Sequence, residues 1–142
     1  MLRTLILVTI MAVAGIIGNG NVLAADIEID DAMAAALAAE PPLTQDDIDK
    51  FVKYFPEIEA AHDTNDAVLM QKILRETQWT ETRMVYVIFK TGYTCAMLAE
   101  PETEAFFREF FPEFMPLENE RALIKQNIDK VSGLIENQEP DR

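Results

Sequence analysis

Residues 81–99 read ETRMVYVIFKTGYTCAMLA, a run with apolar side chains on nearly every face of a helix. Thr80 precedes the run as a helix-capping residue, and Pro101 stops the chain from continuing as a helix. A helix that is apolar all round must be covered on all sides. The sequence therefore predicts a central helix over 81–99, surrounded by the rest of the domain.

The segments on either side also have helical patterns. A helix starts at Thr44 and carries apolar residues at helical spacing, and Pro56 is expected to kink it or split it into two. Further helices are predicted at about 67–78, from 102 or 103 onward with breaks at Pro112 and Pro116, and at about 117–135. Neither an alternating strand pattern nor an internal repeat occurs in the sequence. We predict an all-α fold, a small bundle of four to five helices with proline-kinked helices around the central apolar helix.

The first 24 residues have the layout of a cleavable signal peptide. Arg3 is followed by an apolar run over 5–17 and then by a Gly- and Asn-rich exit that ends in small residues. The alternative is an uncleaved anchor, but the run is shorter than the ~20 apolar residues that span a bilayer. We predict cleavage after Ala24, or after Ala25, with export to the periplasm or beyond and no stable membrane insertion afterwards.

The remaining chain divides by composition into three parts. Residues 25–42 are acidic and then alanine-rich, and end in Pro41-Pro42, which predicts a flexible, loosely docked leader. Residues 43–137 form the single helical domain. Residues 138–142 are polar and are expected to be a disordered tail.

The charge of the protein restricts its partners. The whole chain has a net charge of −13, and cleavage of the signal removes only one charged residue, Arg3. Residues 25–66 carry 12 acidic and 2 basic side chains, whereas residues 67–99 carry 2 acidic and 4 basic ones. Phosphates and anionic lipids repel such a surface, so nucleic acid and membrane-surface binding are not expected. Basic proteins, cations and neutral ligands remain as candidate partners.

Cys95 is the single cysteine of the chain. One thiol forms no internal disulfide, so the core alone must stabilise the domain. Because Cys95 lies in the most apolar helix, we expect a buried, unreactive thiol. An apolar setting raises the pKa of a thiol, whereas a nucleophilic cysteine paired with His62 would need a lowered one. No nucleophile elbow or phosphate loop occurs, and we predict that the protein is not an enzyme.

His62 is the single histidine and the centre of the weak metal candidates. Glu59 and His62 share a helical face, and Asp63 and Asp66 follow. A ferritin-like di-metal site needs the Glu-x-x-His pair twice, and the chain has it once. Haem is equally unsupported, because no C-x-x-C-H sequence is present. We predict no metal and no cofactor, with a metal- or haem-binding bundle that uses His62 as the alternative.

The most unusual stretch is phenylalanine-rich, FFREFFPEFMP over 106–116. Phe106, Phe110 and Phe114 form one row at i, i+4 and i+8, and Phe107 and Phe111 form an adjacent row. Both rows can pack on the central helix, or one row can stay exposed as a patch with an acidic rim. The rim would consist of Glu102, Glu104, Glu109 and Glu113.

These features lead to a functional hypothesis of an exported, acidic, non-enzymatic binding or protein-interaction module. Its contact surface would use Trp79, Phe106, Phe107, Phe110, Phe111 and Phe114. Self-association through the same surface is a close variant of this hypothesis. A small envelope chaperone is a further alternative, resting on composition and compartment.

Overall fold

The computed structural model describes residues 31–136, without the side chains of Glu113, Ile135 and Glu136. The predicted signal peptide, the start of the leader and the predicted tail lie outside the described residues. Within them the fold is all-α, as predicted. Its α-helices are α1 (Asp31–Ala38), α2 (Gln45–Asp63), α3 (Ala67–Thr77), α4 (Glu81–Ala99), α5 (Glu104–Phe110), α6 (Glu118–Gln126) and α7 (Ile128–Glu136). Short 3-10 turns, Pro101–Thr103 and Pro112–Phe114, flank α5.

The prediction of a central helix over 81–99 is confirmed. Thr80 caps α4 by accepting a hydrogen bond from the backbone N–H of Arg83. Every residue from 84 to 97 is buried. The helices α1, α2, α6 and α7 and both 3-10 turns pack against α4. The all-round apolar composition of this helix therefore corresponds to its position at the centre of the fold.

Helix α2 begins as predicted and passes through its proline. Thr44 and Asp47 form a capping box, in which each side chain accepts a hydrogen bond from the other residue's backbone N–H. Pro56 lies inside the helix, which continues to Asp63, so the expected split does not occur. The buried residues Phe55 and Ile58 lie on either side of the proline, and their packing offsets the backbone hydrogen bond that proline cannot make.

The count of four to five helices is wrong for the described part of the chain, which holds seven α-helices. One difference is the segment predicted as a single helix over about 117–135, which is divided at Asn127 into α6 and α7. The Asn127 side chain exchanges hydrogen bonds with Gln45 and donates another to the Leu123 carbonyl. A side chain that bonds this way competes with continuous helix, so the two helices meet there.

The other difference is α1, which lies in the predicted flexible leader. Part of this segment contacts the rest of the domain, and its flexibility stays a prediction. Leu37 is 1% exposed, and α1 contacts α4 and the turn Pro112–Phe114. The Arg83 side chain then donates hydrogen bonds to the carbonyls of Pro41 and Pro42. One leucine and one arginine therefore hold a segment whose alanine content indicated little to bury.

Candidate functional site: an aromatic patch

Helix α5 is short and carries aromatic side chains on opposite sides. Phe106 is 43% exposed and Phe110 is 58% exposed, with their ring centroids 4.9 Å apart. We call this pair the aromatic patch. Leu117, after the second 3-10 turn, is also exposed. Exposed large apolar residues that contact each other are uncommon on a folded surface and typically mark an interaction site.

The other aromatic residues of this segment point into the core. Phe107 and Phe114 are buried, and Phe111 is half-buried against the core. Phe107 stacks on Tyr93 at 4.6 Å, and Phe114 stacks on Phe89 at 4.5 Å. The buried members thus attach the segment to α4 and leave the patch on the outside.

The predicted row of Phe106, Phe110 and Phe114 is wrong. Helix α5 ends at Phe110, and Pro112 opens a 3-10 turn that takes Phe114 off the helical face. A proline at this position cannot continue the hydrogen-bonding pattern of the helix. The chain therefore bends, and Phe114 enters the core while Phe110 stays outside.

Trp79 was also predicted to contribute to the contact surface, and the structure places it in the core. Its ring is 7% exposed, and its Nε1–H donates a hydrogen bond of 3.1 Å to Oδ1 of Asp47. Trp79, Phe107 and Phe114 are therefore buried in this structure. The available surface is reduced to the aromatic patch and the exposed part of Phe111.

Charged side chains surround the patch on its own helix. Glu102 and Glu109 are exposed, and Glu104 pairs with Arg108 on α5 and with Arg121 on α6. The nearby Arg121 guanidinium lowers the pKa of Glu104. An open concavity of about 570 Å³ lies along this side and is lined by Pro101, Glu102, Glu104, Ala105, Arg108 and Glu109. Three of the four predicted rim residues are therefore at least partly exposed in this segment, and Glu104 is paired with two arginines; the side chain of Glu113 lies outside the described residues.

A buried polar group that the sequence analysis missed is centred on Glu120. Glu120 is fully buried and accepts hydrogen bonds from Tyr86 Oη (2.8 Å), Lys90 Nζ (3.3 Å) and the backbone N–H groups of Leu43 and Leu117 (both 2.9 Å). We call this set the Glu120 clasp. It joins the start of α2, the centre of α4 and the start of α6.

The surroundings of Glu120 keep its carboxyl group ionised. Burial by itself would raise the pKa of Glu120, but the hydrogen bonds from two backbone N–H groups and Tyr86, with the charge of Lys90, outweigh it and lower that pKa. Burial and the bond to Glu120 raise the pKa of Tyr86. Lys90 also donates a hydrogen bond to the Met115 carbonyl, so it fixes the chain just after the second 3-10 turn.

A second buried group is built on Arg83. Its guanidinium pairs with Asp47 and with Glu40, and donates to the two proline carbonyls already described. Burial would raise the pKa of Asp47, but the hydrogen bonds from Arg83 and Thr44 outweigh it and lower that pKa. One sequence signal could have revealed both groups: Arg83, Tyr86 and Lys90 share a face of the apolar helix at i, i+3 and i+7.

The weak metal candidates do not form a cluster. Among the residues the structure describes, no group of three or more His, Cys, Asp or Glu side chains is placed to hold a metal ion. Asp66 caps α3 by accepting a hydrogen bond from the N–H of Leu69. The Nδ1 of His62 lies 3.4 Å from Asp63, and its Nε2 is buried without a hydrogen bond. Glu59 and His62 therefore remain neighbours on α2 rather than the start of a ligand set.

Cys95 is buried, as predicted, at 4% exposure. Burial raises the pKa of its thiol to about 12, which keeps the thiol protonated and weakly nucleophilic near neutral pH. No helix within residues 31–136 is long and apolar enough to cross a membrane. This chain matches no family model, no curated protein and no solved structure.

Proposed function

We propose that this protein is an exported, non-enzymatic interaction module that uses the aromatic patch to bind a protein segment. The observation that carries the proposal is the pair of exposed, mutually contacting rings of Phe106 and Phe110 on a helix whose opposite side is anchored in the core. Rigid aromatic side chains contribute large contact area at low entropic cost, and this is why they dominate binding energy at interfaces. The sequence of residues 1–24 supports the export part of the proposal.

The charge around the patch indicates the chemistry of the partner. Glu102 and Glu109 are exposed and close to Phe106 and Phe110 along the chain, with the exposed Arg108 among them, and the whole chain has a net charge of −13. A partner with an apolar face flanked by lysine or arginine would gain both apolar contact and charge attraction. A second copy of this chain would bring a like charge to the same place, which disfavours self-association.

A synthetic probe can test this proposal directly. We would measure binding of a short amphipathic helical peptide of leucine and lysine, with a leucine and glutamate peptide of the same pattern as the comparison. The lysine peptide is expected to bind, and its affinity should fall as salt is added, because salt screens charges at exposed surfaces. The glutamate peptide is expected not to bind.

Two variants locate the binding site. Phe110→Ser should weaken the binding of the lysine peptide by about 5- to 150-fold, because truncation of an interface aromatic costs about 1–3 kcal/mol. Val68→Ser is the matched control, since Val68 is a highly exposed apolar residue on α3, away from α5 in the chain. Equal effects of the two substitutions, or none from Phe110→Ser, would exclude the patch as the binding site.

Sedimentation distinguishes binding of a different protein from self-association of this chain. The wild-type protein is expected to sediment as a monomer over a wide concentration range. A dimer that dissociates on Phe110→Asp would instead show that the patch serves self-association.

A further inference from the structure

The aromatic patch is one end of a continuous array of rings. The ring of Phe110 contacts that of Phe106, with centroids 4.9 Å apart, and Phe106 contacts Phe111 at 6.2 Å. Phe111 then contacts Tyr93 at 5.3 Å, and Tyr93 contacts Phe114 at 5.5 Å. We call these five residues the aromatic array. It changes from 58% exposure at Phe110 to complete burial at Phe114. The same apolar surface therefore has an open end and a covered end.

Helix α1 lies over the covered end. It contacts the turn Pro112–Phe114, in which Phe114 lies, and it also contacts α4. Its sequence is DAMAAALA, in which Leu37 is fully buried and Met33 is partly buried. The apolar contact that holds this helix in place is thus small, because alanine offers little area to bury.

The strong polar attachments of this segment follow the helix. Arg83 binds Glu40, Pro41 and Pro42, and Glu120 accepts a hydrogen bond from the N–H of Leu43. Residues 40–43 are therefore fixed to the domain by charged and hydrogen-bonded groups, whereas Leu37 is the one fully buried side chain of α1. This arrangement allows α1 to swing away about a fixed point at its C-terminal end.

We propose that α1 is a displaceable cover over the inner end of the aromatic array, and that the apolar face of a bound partner takes its place. The proposal rests on the proposed function, because the partner first contacts the patch. When α1 lifts, helices α2 to α7 remain folded and the surface around Phe114 becomes part of the binding site. The partner's helix then covers the whole array instead of its open end alone.

Hydrogen exchange on the unaltered protein tests the cover. In low concentrations of denaturant, the backbone amides of α1 are expected to exchange through a local opening that leaves those of α4 protected. The leucine and lysine peptide should accelerate exchange in α1 while it slows exchange in α5. If α1 exchanges only with the same global opening as α4, or if bound peptide protects α1, the cover does not exist.

A pair of variants sharpens the test. Leu37→Ser removes the buried anchor and should raise α1 exchange by about tenfold or more, with increased binding of the uncharged apolar dye Nile red. Ala36→Ser, at the exposed neighbouring position, should change neither. Faster exchange in Leu37→Ser without added dye binding would show that α1 covers no usable surface. If Leu37→Ser does not unfold cooperatively, hydrogen exchange in the wild-type protein alone decides whether α1 opens locally.

The two proposals fail in different ways. If Phe110→Ser leaves peptide binding unchanged but α1 opens locally, the proposed function is wrong, and only the local opening of α1 stands, without the partner that was to replace it. If Phe110→Ser abolishes binding but α1 opens only globally, the proposed function stands and the cover is wrong.

Discussion

Replacement of Glu120 by glutamine tests the buried clasp with the smallest possible change in shape. One carboxylate oxygen accepts from the Leu117 N–H and from Lys90, and the other accepts from the Leu43 N–H and from Tyr86. Glutamine keeps one of these oxygens and replaces the other with an NH₂ group. The substitution also removes the negative charge that faces Lys90.

The structure sets the size of the expected loss. If the remaining oxygen stays with Leu117 and Lys90, the NH₂ group of the new side chain points at the N–H of Leu43, donor against donor. The hydroxyl of Tyr86 can rotate to accept, but a backbone N–H cannot. An unsatisfied buried donor costs about 1–3 kcal/mol, and removal of one partner of a buried ion pair costs about 3–5 kcal/mol. Because these two costs overlap, we expect Glu120→Gln to lose about 3–5 kcal/mol.

Urea unfolding followed by circular dichroism measures this loss. With a urea dependence of about 1–3 kcal/mol per molar, the midpoint should fall by about 1–5 M. Glu118→Gln is the matched control, because Glu118 is exposed in the first turn of the same helix, and it should cost less than about 1 kcal/mol. Lys90→Met should cost less in the Glu120→Gln background than in the wild type, with a coupling of about 1–3 kcal/mol.

The reasoning is refuted if Glu120→Gln loses no more stability than Glu118→Gln. It is also refuted if the effects of Lys90→Met and Glu120→Gln simply add, since the two side chains would then contribute independently.

Three further results are expected. Asp47 and Glu120 have lowered pKa values in the folded state. Their contribution to stability is therefore present above the ordinary carboxyl range and is lost as the pH falls through the folded pKa values. Urea unfolding should show stability falling below about pH 4, and a level profile down to about pH 3 would contradict this. The thiol of Cys95 should react with an aromatic disulfide reagent only when the protein unfolds, so rapid reaction of the native protein would place it at the surface. Phe114→Ala should cost about 3–5 kcal/mol, whereas Phe110→Ala should cost less than about 1 kcal/mol, and similar costs from thermal unfolding would contradict the assignment of the two rings.

Local features of the sequence were sufficient for the starts of α2, α3 and α4. Thr44, Asp66 and Thr80 each cap a helix through a hydrogen bond to a backbone N–H three residues later, and this geometry needs nothing outside one turn. The burial of α4 followed equally directly from its composition, because a helix without a polar face has to be covered.

Contacts between distant residues could not be predicted in the same way. The Glu120 carboxylate meets the N–H of Leu43 across 77 positions of the chain, and the Asn127 side chain meets Gln45 across 82. The first pair explains why a glutamate is tolerated in the core, and the second explains why a predicted long helix is divided in two. A periodic pattern carries no information about which distant group will supply the partner.

The aromatic segment over 106–114 separates what the sequence determines from what only the tertiary structure decides. The sequence alone determined that residues 106–114 are rich in phenylalanine, follow a central apolar helix and are accompanied by glutamates. Only the tertiary structure decided that Phe110 is exposed and Phe114 is buried, because the chain bends at Pro112 and Phe114 stacks on Phe89. Side-chain spacing sets which residues share a helical face. Which face meets the core depends on where the helix ends and what packs against it.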